Sequence, residues 1–149
     1  MSRSLYLLRH QYKGFWFPEK IVDTTVWIDY LRGTSNPQVE WLDRELSQQR
    51  LGLTDLILCE VLQGIHTDSG FKRVGREMAR FEIFNSGGEQ LAVASAENYR
   101  KLRAYGHTVR KTMDRLIATF CLTHNHALLH RNQELDAFEK YLELKVIHP

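Results

Sequence analysis

Short apolar runs alternate with segments of helical period along most of the chain, and this alternation constrains the fold more than any other feature. Lys20–Val22 predicts a buried strand ending at Asp23, followed by a short helix from Thr24 to Leu31 that stops near Gly33. Asn36-Pro37 opens a second helix, because Asn caps and Pro fits the first turn, with Val39, Leu42 and Leu46 on one side. Leu51-Gly52-Leu53 predicts a brief strand, and Thr54 caps a helix reaching about Gly64. Further on, the pattern predicts a helix over Phe71–Phe81, a strand over Phe81–Phe84, and a helix from beyond Gly87-Gly88 through Tyr105, with Gly106 as its C-terminal cap. A helix capped by Thr108 and reaching about His124, then strands over His126–His130 and Leu144–Ile147, complete the series. Short apolar strands separated by helices predict an α/β fold, a short parallel central sheet covered by helices on both faces. In such sheets, sites form beyond the carboxyl ends of the strands.

The chain has 149 residues and 43% hydrophobic content, enough for one domain with a real core and too little for two. That domain is expected over residues 20–149. Residues 1–19 are basic and aromatic, with Tyr12, Phe15, Trp16 and Phe17, and lack clean periodicity; they read as an N-terminal appendage, expected to be poorly ordered. A net charge of +2 admits an anionic partner but lacks the dense Lys/Arg blocks of a nucleic-acid-coating tail. Cys59 and Cys121 form no CxxC and read as buried free thiols in a reducing cytoplasm. No run approaches the roughly 18 apolar residues needed to span a bilayer, so neither a membrane nor a secretory destination is expected. Trp27 and Trp41, among aliphatics at helical positions, read as core.

Three acids stand where acids are costly. Asp23 follows the first strand directly, as either a helix cap or a ligand. In TDLILCEVLQGI, Glu60 lies three and four residues after Ile57 and Leu56, on the apolar face of its helix. In KTMDRLIATFC, Asp114 shares a face with Ile117, Ala118 and Cys121. A salt bridge to a nearby Arg or Lys is the ordinary explanation for Glu60 and for Asp114 taken singly. Three such acids directed at one sheet point instead to a divalent cation, which reverses the sign of the local electrostatics and lets carboxylates gather. Arg100, Arg103, Arg110 and Arg115, with Lys101 and Lys111, bring positive charge close in sequence to Asp114, suited to a phosphate backbone; the competing reading, strongest for the two lysines, is a solvated helix face. His124, His126 and His130 hint at zinc only weakly, since no cysteine completes a tetrahedral set.

The stretches IVDTTVWIDYLRG, CEVLQG and YRKLRAYGHTVRKTMDRLIATFC, followed by HALLHRNQELDAF, resemble the PIN domain, specifically the VapC-type ribonuclease toxins of bacterial toxin-antitoxin pairs. The resemblance runs over residues 20 to 147. It implies a Rossmann-like sheet whose clustered acids bind Mg2+, with Mn2+ as substitute, and hydrolyse RNA phosphodiester bonds. By motif, Asp23, Glu60 and Asp114 correspond to the first three acids, as catalytic residues and metal ligands, and Thr25 to a residue that supports the metal site. A cognate VapB-like antitoxin and a homodimer are implied as well. The fourth position departs from the family pattern. Asn132 stands where an acid is usual and Glu134 where the next acid of that run would be. Asn offers a neutral carbonyl oxygen but no charge. One ion rather than two is expected, with Asn132 or Glu134 as the fourth ligand. Two other readings follow from the same residues. One is a catalytically weakened PIN-like domain that binds RNA or a protein; the other is a phosphatase of the haloacid dehalogenase-like kind, which needs an Asp where Thr25 stands.

Overall fold

The computed structural model describes residues 20–48 and 50–149, so the expectation for residues 1–19 lies outside the described residues. β1 (Lys20–Val22) leads through the capping residue Asp23 into α1 (Thr24–Arg32), which Gly33 ends at φ +74°, a left-handed turn that suits glycine. Asn36 caps α2 (Pro37–Glu45) by accepting from the Val39 N–H. β2 (Leu51–Thr54) runs into α3 (Asp55–Gln63), capped by the Thr54 hydroxyl, and α4 (Asp68–Met78) and β3 (Glu82–Phe84) follow. α5 (Glu89–Ala104), α6 (Thr112–Thr123), β4 (Ala127–Leu129), a 3-10 turn (Gln133–Leu135) and α7 (Asp136–Leu142) complete the chain.

Among the described residues, four strands form one parallel sheet in the order β3-β2-β1-β4. The register sets Val22 beside Leu129 and Thr54 beside Phe84, so the carboxyl ends of neighbouring strands lie together. Ile21, Val22, Leu51, Leu53, Leu128 and Leu129 are fully buried in the strands. Each contributes about 1.5–3 kcal/mol by leaving water. Helices flank the sheet: α5 packs on α6, and α1 packs on α2 and α3. Trp27 and Trp41 are buried in the core as expected.

Several boundaries differ from expectation. α4 starts at Asp68, three residues before Phe71, because Thr67 caps it through the Gly70 N–H at 3.1 Å. A side chain at position 70 would put its Cβ 2.7 Å from that hydroxyl, so the cap depends on glycine there. Thr108 does not cap α6, which begins only at Thr112. Val109 turns into the core, 1% exposed, and the Arg115 guanidinium holds the carbonyls of Val109 and Arg110. The last expected strand is reduced to one parallel bridge, Val146 beside Leu128. Cys121 is buried, but Cys59 is exposed. Two positions along a helix turn a side chain by about 200°, so Cys59 points away from the face on which Ile57 and Val61 are buried.

Candidate active site

β1 and β4 end side by side, and the Asp23 N–H donates to the Leu129 carbonyl at 2.9 Å. This bond fixes the first acid at the carboxyl edge of the sheet. Asp23 is 2% exposed and divides its two oxygens between different tasks. Oδ2 caps α1, accepting from the Thr25 N–H at 3.2 Å and the Thr25 hydroxyl at 2.6 Å. Oδ1 is buried and accepts no hydrogen bond. One oxygen is therefore spent on the helix cap and the other is unspent.

Glu60 and Asp114 are held by neutral donors rather than by the salt bridges that would explain them away. The Thr24 hydroxyl donates to Glu60 Oε1 at 2.8 Å, and the Asn132 amide nitrogen donates to Asp114 Oδ2 at 2.9 Å. Asp23, Glu60, Asp114 and Glu134 line one cleft of about 420 Å³. Lys111 and Arg131 supply positive charge on its wall.

Burial raises the pKa of all three acids above the ordinary carboxylate range. For Asp23, burial outweighs the hydrogen bonds from Thr25, and the Asp114 charge adds to it. For Glu60, the charges of Asp23 and Asp114 add to burial, while the Thr24 bond and Lys111 oppose it. For Asp114, the Asn132 bond and Lys111 oppose burial, and Glu134 reinforces it. Acids that raise one another's pKa in this way share one electrostatic site.

These residues fit a divalent cation. A buried, unpartnered carboxylate oxygen is costly, and a cation beside it removes that cost. The acids offer only oxygen, the donor preferred by hard ions. Among the described residues, no three acidic, His or Cys side chains close into a cage for an ion. The carboxylates line an open cleft instead.

The departure at the fourth position has a defined geometry. Asn132 Oδ1 accepts from the Glu134 N–H at 3.0 Å, capping the 3-10 turn, which leaves the amide nitrogen for Asp114. A backbone donor on one side and a carboxylate on the other assign the amide orientation. The carbonyl expected to face a cation is thus engaged elsewhere, and Asn132 meets Asp114 as a donor. Glu134 reaches the same cleft and accepts from the Arg110 N–H through Oε2 at 3.2 Å.

The expected RNA-facing arginines separate into two kinds. Arg100 and Arg110 are exposed. Arg115 is committed to structure: Nη1 donates to the Val109 and Arg110 carbonyls, Nη2 to the Thr112 hydroxyl, and the guanidinium lies 4.6 Å from the Tyr99 ring centre. Arg103 is exposed, and its guanidinium lies 5.7 Å from the centre of the same Tyr99 ring. Sequence reasoning missed Thr24 and Arg131, and left Lys111 between a backbone-facing cation and a solvated helix face. The Arg131 N–H donates to the Thr25 hydroxyl at 3.2 Å, and its guanidinium pairs with Asp29, which also accepts from the Asn36 amide at 3.2 Å. The paired threonines after Asp23 were the available signal; nothing local marked Arg131. The histidines serve other ends: His124 and His126 lie against the Phe120 ring, and buried His130 accepts from the Asn132 N–H.

A family model described as the PIN domain matches residues 20–141. Among curated proteins, the chain is 28% identical over 127 residues to the VapC ribonuclease Mb1587 of Mycobacterium bovis, covering 84% of this chain and 95% of that protein. Among solved structures, it resembles VapBC2 from Rickettsia felis bound to a promoter DNA fragment, with TM-score 0.68 and 15% identity over 86% of this chain and 96% of that one. A toxin-antitoxin complex from Klebsiella pneumoniae gives TM-score 0.66 and 18% identity over 88% and 98%.

Proposed function

Because the chain belongs to the PIN-domain family, we propose that it is a metal-dependent endoribonuclease of the VapC toxin type, hydrolysing RNA phosphodiester bonds in the cleft beyond β1 and β4. The observation that carries the reading is the unspent, buried Oδ1 of Asp23 in a cleft shared with Glu60, Asp114 and Glu134. Asp23, Glu60 and Asp114 would hold Mg2+, with Mn2+ as substitute. When bound, the ion activates water and stabilises charge on the phosphorus oxygens. Thr25 and Thr24 orient the carboxylates of Asp23 and Glu60, and Asn132 orients that of Asp114. Lys111 and Arg131 offer positive charge to the phosphate at the cleft wall. The weakened-binder alternative is disfavoured by relatives that are named ribonucleases and by the acid that Glu134 supplies to the cleft.

A cognate VapB-like antitoxin belongs to the same proposal, since the structural neighbours are toxin-antitoxin complexes. A homodimer does too. The test is cleavage of single-stranded RNA by the purified chain with Mg2+ or Mn2+, against EDTA and against Asp23→Asn. Cleavage that needs the ion and is lost in the variant supports the reading. Cleavage that is indifferent to both would mean a contaminating nuclease or another site.

A further inference from the structure

A second pocket, of about 240 Å³, shares Glu134 with the acid cleft. It is smaller than the roughly 300 Å³ at which drug-sized sites begin, which leaves room for one ring system rather than a chain. Its wall includes the ring of Tyr141, which is built as a platform. Tyr105 stacks behind that ring with centroids 4.5 Å apart and planes within 16°. His107 braces its edge, with Nε2 3.2 Å from the Tyr141 hydroxyl. Lys140 Nζ stands 5.2 Å from the same ring centre. Two acids, Glu134 and Asp136, line the pocket together with Gln133.

We propose that this pocket receives the base of an RNA nucleotide adjoining the scissile phosphate, and that it prefers guanine. The inference rests on the nuclease reading. An unstacked RNA base is recognised by stacking on aromatic rings and by hydrogen bonds along its edge. Tyr141 and His107 provide the first. Carboxylates only accept hydrogen bonds, so Asp136 and Glu134 favour a base that presents donors. Guanine offers a ring N–H and an amino group side by side, whereas uracil offers a lone N–H between two carbonyls. Lys140 is exposed at the pocket wall, so an entering base can displace its ammonium from the Tyr141 ring towards a flanking phosphate. Glu134, shared by both cavities, sets the base pocket beside the acids that act on the phosphate.

The experiment measures binding of the trinucleotides UGU, UAU, UCU and UUU to the full chain in EDTA, where no cleavage occurs, and then cleavage of RNAs carrying the same bases with Mg2+. The expected result is tightest binding to UGU. Asp136→Asn should erase the UGU-over-UUU preference, and Tyr141→Leu should weaken all four by roughly 5- to 150-fold, the range of one lost base stack. Asp136 is exposed, so its variant remains a fair test even if Tyr141→Leu does not fold. Wild-type cleavage of RNA together with an unchanged preference in Asp136→Asn would overturn the pocket and leave the nuclease reading intact. A wild type that neither binds nor cuts RNA would remove both.

Discussion

Two strand-to-helix junctions, Asp23 after β1 and Thr54-Asp55 after β2, lie at the same edge of the sheet, and each brings an acid to it. They differ in what is left of the acid once the fold has formed. At the second junction Thr54 does the capping, accepting from the Ile57 N–H at 3.2 Å. Asp55 Oδ1 is then occupied by the Leu56 N–H, the Ser86 N–H and the Ser86 hydroxyl, which tie α3 to the loop after β3. At the first junction the acid itself is the cap, and a single oxygen carries that work. Its other oxygen is buried without a donor. Both acids thus spend one oxygen on the fold, and what separates them is that the second oxygen of Asp23 is buried without a partner while Asp55 has no such buried, unbonded oxygen. Asp55 is a structural tie; Asp23 has capacity to spare.

The largest effect should come from exchanging the two acids for amides. Asp23→Asn keeps an acceptor for the cap and removes a ligand charge, so RNA cleavage should fall by more than the roughly 10–100-fold typical of a supporting residue. Asp55→Asn should leave cleavage within a few-fold and lower stability by about 1–2 kcal/mol, through disturbed bonds to Ser86. Steady-state cleavage and urea unfolding of both variants check this, and the reverse pattern would break the comparison.

A smaller loss is expected from the neutral donors. Thr24→Val and Thr25→Val each remove a hydroxyl that orients a carboxylate, so Mn2+ affinity measured by calorimetry should weaken by about 10–100-fold with the fold retained.

Asn132→Asp tests the fourth position. The new carboxylate can still cap the 3-10 turn but loses the donor to Asp114 and sets two carboxylates face to face. Mn2+ binding should tighten and cleavage rise a few-fold, while the metal-free protein melts lower at pH 7. Glu134→Gln should do little to cleavage; its abolition would make Glu134 the working fourth acid.

The smallest effect is in pH. Because burial raises all three site pKa values, their protonated forms stabilise the fold. That stabilisation is complete below the ordinary carboxylate values of about 4 and is lost as pH rises through the raised values. His130, lowered by burial, opposes this by favouring the unfolded chain below about pH 6.5. The difference between metal-free wild type and Asp23→Asn removes the His130 contribution. The variant should melt a few degrees higher at pH 7.5, and the gap should shrink towards pH 4. A gap that widens on acidification would mean that Oδ1 is satisfied after all.

Much of this architecture was legible before any coordinates. The starts of α1, α2 and α3 were marked by Asp23, Asn36 and Thr54, each capping a backbone N–H two or three residues ahead. Off-pattern acids pointed to the residues that line the cleft, and the resemblance put them in one family. The errors fall where a distant partner overrides a local signal. Thr108 is a good cap in isolation, but buried Val109 and the guanidinium of Arg115 keep its segment out of the helix. Arg115, expected at an RNA backbone, has both terminal nitrogens donating within its own fold.

The sequence by itself determined the alternation of strands and helices, the caps and the presence of misplaced acids, because capping and periodicity act between residues a few positions apart. Only the tertiary structure decided what those acids are free to do. Thr24 meets Glu60 across 36 positions and Arg131 meets Thr25 across 106, and such bonds consume or spare individual oxygens. The free valence of Asp23 Oδ1, the donor face that Asn132 turns to Asp114, and the cations at the cleft wall all depend on how β1 and β4 are paired. Valence at a site is a sum over neighbours in space, and a linear pattern lists only neighbours in the chain.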